Sequence, residues 1–366
     1  MDKLALIKKT LKYQDLSKKY KGFDAPAYKV KIDSKDICLK ESMAISELKV
    51  ENSVDKADYC SFRVENAYEE EKRSFKWVDD YFEVGKSVVV LLGYVDKYEA
   101  VFQGIISDVT IEVEENGFPT VLIEAMDASV LMMNGEKTRI WYEKKHSDVV
   151  KDIAGFYKLS AKMKPTSVTY DTIVQNGMTD FEFIQKLSLL NGYEFFIVGK
   201  DLHFRPLNED KKALMALSVQ DNLLALSTKS TITQQWSSVV VKGFNYKQEE
   251  IEEKSSSITK LGKGSTTGGK IVEKLAKEAG IHVIHGAYAT VEEAKSIAQG
   301  LMDRQAMYFL GGYGKSVGIP ELRAGHNIEL YGFWGTKKRM YYVVDTRHVI
   351  DDEGYSVEFS LGGNTL

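Results

Sequence analysis

The chain has 366 residues, 43% of them hydrophobic and 28% charged, with a net charge of −4, a length that suits two or three domains with full cores. The acid excess argues against a dedicated nucleic-acid binder, leaving at most a local basic patch. Two cysteines, Cys38 and Cys60, cannot build a disulfide framework and read as free thiols of a reducing cytosol.

No apolar run reaches the roughly 18 residues of a membrane helix. Lysines interrupt residues 1–21, where a signal core would lie. The expectation is a chain made and folded in the cytoplasm. In chain order, residues 1–21 predict a helix with Leu4, Ile7 and Leu11 on one stripe and Lys3, Lys8, Lys9, Lys12, Lys18 and Lys19 elsewhere. That stripe is short and lacks Trp or Phe, which favours docking on protein over lying on a membrane. Strands follow at 28–32, 45–50 and 59–64, where apolar and polar residues alternate, and 68–73 reads as a charged loop.

Residues 84–127 and 324–363 read as two copies of one β unit. Each opens on a glycine (Gly85, Gly325) before an apolar strand that ends in glycine plus an aromatic (Gly93-Tyr94, Gly332-Phe333). A second strand follows (101–113, 341–350). Acidic turns of one grammar come next, Glu114-Glu115-Asn116-Gly117-Phe118 against Asp351-Asp352-Glu353-Gly354-Tyr355. A third, alternating strand closes each copy (121–125, 357–361).

Between the copies, 147–206 changes character. Ser147 can cap a helix carrying Val149, Val150, Ile153, Ala154 and Tyr157. Thr179-Asp180-Phe181-Glu182 is a capping box, in which hydroxyl and carboxylate satisfy free backbone N–H groups reciprocally. Its helix places Phe181, Ile184, Leu187 and Leu190 inward and stops at Asn191-Gly192. A hairpin follows, 194–198 and 202–204, turning at 199–201. Strands resume over 219–244. Residues 246–270 are polar, low in complexity and expected to be a mobile loop. Thr290-Val291-Glu292-Glu293 opens a last helix with Ala294, Ile297, Ala298, Leu301 and Met302 inward. The fold expected is β-rich α+β: two similar tube-like β-barrel or sandwich domains, 1–140 and 219–366, with a small α/β module at 141–218.

Catalytic grammar is thin. The stretch 264–270 fits G-x-x-x-x-G-K, but Ile271 stands where Ser or Thr would hold Mg²⁺, and no buried strand precedes it. A Gly/Ser-rich linker is the better reading. His282 and His285 lie in a strand-like run, three apart and so on opposite faces. The pairs Glu114-Glu115 and Asp351-Asp352 read as solvated turn residues. Neither a cofactor nor a metal is expected.

The stretch 175–206 resembles the middle of the baseplate hub family of contractile injection systems: phage late-control protein D, the tailocin hub and the N-terminal hub part of VgrG. The matching positions are Asp180, Phe181, Phe183, Leu187, Gly192, Tyr193, Leu202 and Phe204; Gly325 with Gly354-Tyr355 resembles the family's closing β domain. The resemblance implies a non-enzymatic homotrimer whose duplicated β domains give pseudo-sixfold symmetry, joining a threefold spike to a hexameric inner tube. The partners it implies are a separate spike protein (none follows Leu366), an inner tube or tube-initiator protein, baseplate wedge proteins and a tape measure protein. Assembly would follow bacterial cytoplasmic synthesis, into the baseplate of a phage tail or tail-like particle. The alternatives are a tail-tip, host-binding protein of a non-contractile phage, or a wall hydrolase or NTPase using the Gly-rich loop.

Overall fold

The computed structural model describes residues 4–366 except 114, 116, 208, 211, 246, 277, 279 and 336. Lys3, Glu114 and Asn116 therefore lie outside the described residues. After helix α1 (Tyr13–Lys19), the first β unit holds β1 (Pro26–Ile32), β2 (Lys35–Asp36), α2 (Ile37–Glu41), β3 (Ile45–Ser53) and β4 (Tyr59–Val64). It continues with the small hairpin β5 (Tyr68–Glu69) and β6 (Ser74–Phe75), helix α3 (Val78–Tyr81), β7 (Ser87–Tyr94), β8 (Lys97–Glu112) and β9 (Thr120–Met126). The middle module comprises β10 (Lys137–Lys145), α4 (His146–Phe156), β11 (Ser160–Met163), β12 (Thr169–Met178), α5 (Asp180–Asn191), β13 (Tyr193–Val198) and β14 (Asp201–Pro206). Next come β15 (Ala213–Leu217), β16 (Leu223–Ser230), β17 (Ser238–Phe244), β18 (Glu250–Ser255), α6 (Gly268–Leu275), β19 (Ile281–Ala287) and α7 (Val291–Ala306). The chain closes with β20 (Leu310–Val317), β21 (Asn327–Trp334), β22 (Lys337–Asp351) and β23 (Gly354–Gly363).

The architecture is β-rich α+β, with two similar β units and a small α/β module between them. The units share one 13-stranded sheet, whose path runs β16-β20-β23-β22-β3-β4-β9-β8-β7-β1-β2, with β21 on β22 and β15 parallel on β21. Among the described residues that path is open at both ends and closes no barrel. One hydrophobic core spans both units, from Leu16 and Tyr20 through Phe62, Phe102 and Ile328 to Phe359. The apolar, β-branched run of β7 suits burial on both faces, since Val88, Val90 and Leu92 are fully buried and Leu91 nearly so.

The module has its own core, in which Val149, Val150 and Ile153 of α4 meet Phe183, Ile184 and Leu187 of α5 over Leu202 and Phe204. The capping box forms as read: Thr179 Oγ1 accepts from the Glu182 N–H at 3.2 Å and Glu182 accepts from the Thr179 N–H at 2.9 Å. Gly192 ends the helix at φ 62°, a left-handed conformation that costs glycine little.

Four local expectations are corrected. Residues 4–12 form no helix; the α-helix covers only Tyr13–Lys19, and a short 3-10 turn follows at Lys21–Phe23. Tertiary partners outweigh its amphipathic pattern: Leu4 is buried against Phe196 and Val198, and Leu11 N–H donates to Leu214 O at 2.6 Å. Ser147 lies inside α4, with its hydroxyl accepting from the Thr166 N–H at 3.2 Å, while the Asp148 carboxylate takes the Lys145 N–H at the helix start. Within 68–73, Tyr68–Glu69 belongs to a hairpin. Within 246–270, Glu250–Ser255 is a strand antiparallel to β17, and α6 begins at Gly268, where Thr267 accepts from the Lys270 N–H at 3.3 Å.

Candidate assembly surface

The two β units match bond for bond at their centre. Gly85 N–H donates to Ile106 O at 2.9 Å and Ile106 N–H donates to Lys86 O at 2.9 Å. In the second copy Gly325 N–H donates to Val343 O at 3.0 Å and Val343 N–H donates to His326 O at 2.8 Å. Both glycines hold positive φ, 95° and 91°, which explains why each copy opens on that residue. The middle strand then bulges at the same place, between Ile106 and Asp108 against β9 and between Val343 and Asp345 against β23. A bulge puts one extra residue in one strand and bends it, so both long strands turn at one equivalent point. Beyond the bulge, Asp345 to Ile350 pair antiparallel with Ser53 to Leu48 of β3, the joint that fuses the two units. The Arg347 guanidinium lies 3.3 Å from Glu51 across it.

The eleven positions that carry the resemblance fall in two places. Asp180, Phe181, Phe183, Leu187, Gly192, Tyr193, Leu202 and Phe204 lie within the module. Asp180 opens α5 with its carboxylate buried, 2.5 Å from Lys137 Nζ, 3.0 Å from Arg139 Nη1 and 2.7 Å from the Tyr157 hydroxyl. Burial would raise its pKa, but the hydrogen bonds from Lys137, Tyr157 and Gln175 outweigh that and hold it below the usual carboxylate range. Phe183 stacks on Trp141 at 5.8 Å, Phe181 tilts against Phe195 at 5.3 Å, and Tyr193 against Phe204 at 5.0 Å. Phe183 is the fully buried aromatic of the helix, while Phe181 is half-buried. Gly325, Gly354 and Tyr355 lie elsewhere. Gly325 O accepts from Arg205 Nη2 at 2.7 Å, tying the second β unit to the module. Gly354 turns β22 into β23, and Tyr355 packs 5.6 Å from Tyr94 of the first unit.

Two buried ion clusters that sequence reading missed lock these bodies together. Arg323 pairs with Asp58 of the β3–β4 loop and donates to Val101 O of β8 and Ile197 O of β13, each at 3.2 Å, so one guanidinium holds both β units and the module. Burial pushes the Asp58 carboxyl up, against the pull of Arg323. Arg205 Nε lies 2.7 Å from Glu194, whose other oxygen accepts from the Tyr342 hydroxyl. Glu194 and Arg205 face each other in the β13–β14 register. Opposite charges at facing positions of the predicted hairpin were the signal for this pair; nothing local marks Arg323.

The other chemical candidates are not brought together. His282 lies on β19 stacked at 4.0 Å on Trp236, and Lys270 sits in the first turn of α6. Asp351 Oδ1 accepts from the Glu353 N–H at 2.9 Å, closing its own turn. Among the described residues, no three His, Cys, Asp or Glu side chains converge as metal ligands, and no helix is long and apolar enough to cross a membrane.

This fold is that of phage tail proteins. The prophage MuSo2 43 kDa tail protein of Shewanella oneidensis superposes with a TM-score of 0.69 at 12% identity, covering 92% of this chain and 98% of that one. The tail protein of Neisseria meningitidis MC58 gives 0.66 at 10% identity, covering 92% and 96%. The c3393 protein of E. coli, a component of the type VI secretion system, gives 0.56 at 9%, covering 92% and 76%. No curated protein matches the chain. Residues 24–352 match the family model described as the Alg8 N-terminal domain, and the chain belongs to that family. That description names no tail or secretion component.

Proposed function

We propose that this chain is the structural baseplate hub of a contractile phage tail, a tailocin or a related injection system, acting as a homotrimer. The observation that supports this best is the repeated β unit, with the same paired glycine bonds and the same bulge in both copies, joined edge to edge in one sheet. Three chains of two units offer six near-equivalent strand surfaces, which lets a threefold spike meet a sixfold tube ring. Such an assembly is heterologous and closes by rotation. The role is templating by shape, and no bond is made or broken.

The residues at 180–204 then form a module held rigidly by Arg205 and Arg323, facing spike or wedge proteins. A separate spike protein, the inner tube or its initiator, wedge proteins and a tape measure protein are the partners of this reading. The likeness in fold to two tail proteins and a type VI component supports it. Light scattering on the purified protein tests it: a mass of three chains, with rings as wide as a tail tube in negative stain, is expected. A monomer at every concentration and salt overturns it.

A further inference from the structure

The joint between the units is made once within the chain, and the repeat leaves both halves of a second joint unused. Pairing registers identify those halves. Ala125 of β9 and Leu361 of β23 are equivalent, because they face Ile106 and Val343 beside the shared bulge. Their neighbours on the far side are Cys60 of β4 and Gly312 of β20, and beyond these lie Val50 of β3 and Thr228 of β16. So β16 stands in the second unit where β3 stands in the first, and β8 stands where β22 stands. Yet β3 is paired on both sides, while among the described residues β16 ends the sheet and pairs with β20 alone. On β8, pairing with β7 stops at Ile105, and 107–112 has only β9 as a neighbour among the described residues. An open edge of this kind recruits a strand.

We infer that β16 of one copy pairs antiparallel with the 108–112 edge of β8 in a second copy, in the register of the internal joint, and that three such joints close a ring. The inference rests on the hub reading. Transferring the register sets Thr110 opposite Lys229, Val109 opposite Ser230, Asp108 opposite Thr231 and Glu112 opposite Ser227. Thr110 and Lys229 occupy the places of Arg347 and Glu51, the ion pair of the internal joint. Lys229 falls between Asp108 and Glu112 on one face, within reach of both diagonal neighbours.

Exposure agrees with a missing partner. Ile111 is 50% exposed where its equivalent His348 is 0% exposed, and Val113 and Leu224 at the two free edges are 70% and 61% exposed.

Cysteine pairing tests the register. Directly opposed residues of an antiparallel pair bring their Cβ atoms to about 4.5–5.5 Å, near the span of a disulfide. Thr110→Cys protein mixed with Lys229→Cys protein under mild oxidation should give a linked two-chain species, absent from either alone. The double variant should form links that stop at three chains, and Arg347→Cys with Glu51→Cys should link within one chain as a positive control. A protein that is trimeric by light scattering but forms no 110–229 link overturns this joint and leaves the hub reading standing. Links running on past three chains overturn the closed ring. A monomer throughout overturns both.

Discussion

Gly300 decides between local preference and tertiary packing, and the two predict opposite signs. It lies in the middle of α7, where alanine should stabilise the helix by about 1 kcal/mol. But a Cβ added there would sit 2.6 Å from Gly192 N, 2.8 Å from Gly192 Cα and 3.0 Å from Asn191 C, all backbone atoms at the end of α5. Non-bonded heavy atoms settle at about 3.5–4.0 Å, so the module would have to withdraw from α7 by roughly 1 Å. Overpacking of this kind costs about 1–3 kcal/mol, and no flexible side chain is present to yield.

The expected outcome is that Gly300→Ala destabilises by up to about 2 kcal/mol net, the packing cost less the helix gain. At about 2–4 °C per kcal/mol, that lowers the thermal midpoint by several degrees. Gly155→Ala is the matched control: it lies in α4 with nothing within 4 Å of its added Cβ, and it should hold or raise the midpoint. Differential scanning fluorimetry, followed by urea titration, reads both. A rise in stability for Gly300→Ala would refute the close approach of α5 and α7.

Two further outcomes are expected. Arg323→Met leaves Asp58 buried without its partner and should cost about 3–5 kcal/mol in urea unfolding, with the share due to the unpaired carboxylate regained when Asp58→Asn is added, the bonds to Val101 O and Ile197 O staying lost; an additive double variant would show that the pair does not couple. Acid should weaken the fold through His348, which takes a hydrogen bond from the Tyr355 hydroxyl at 2.8 Å and faces Leu322 O at 2.9 Å. A carbonyl only accepts, so Nε2 carries a proton, and in the neutral ring Nδ1 is left to accept from the Tyr355 hydroxyl. Burial, with Arg323 nearby, pulls its pKa down to about 3. The unfolded chain therefore binds the proton first: this stability is complete above about pH 6.5 and is lost as pH falls toward about 3, amounting to about 2 kcal/mol at pH 5. Urea midpoints compared at pH 7.5 and 5 should differ less in His348→Gln than in the parent, and equal differences would refute the assignment.

How much was legible varies with the range of the forces involved. The meanders could be read because alternation, a glycine at each start and a turn before each last strand are all local. The box at Thr179 and the stop at Gly192 are local too. The N-terminal segment misled because its helical spacing of Leu4, Ile7 and Leu11 competes with a sheet edge more than 200 residues away, where Leu214 O waits for the Leu11 N–H. Residues 246–270 looked coreless, yet Ile251 buries under α7 and β18 finds β17. Ion pairs such as Asp58 with Arg323 join charges distant in the chain, each ordinary in its own neighbourhood.

Local patterning is enough to read a β-rich chain made of one three-stranded unit used twice around a capped-helix module, since periodicity and turn chemistry act over a few residues. That the units fuse through β22 and β3, and that β8 and β16 keep open edges, emerges from long-range strand pairing. Strand edges pair through backbone N–H and C=O groups that every residue carries, so no side-chain pattern announces which edge meets which.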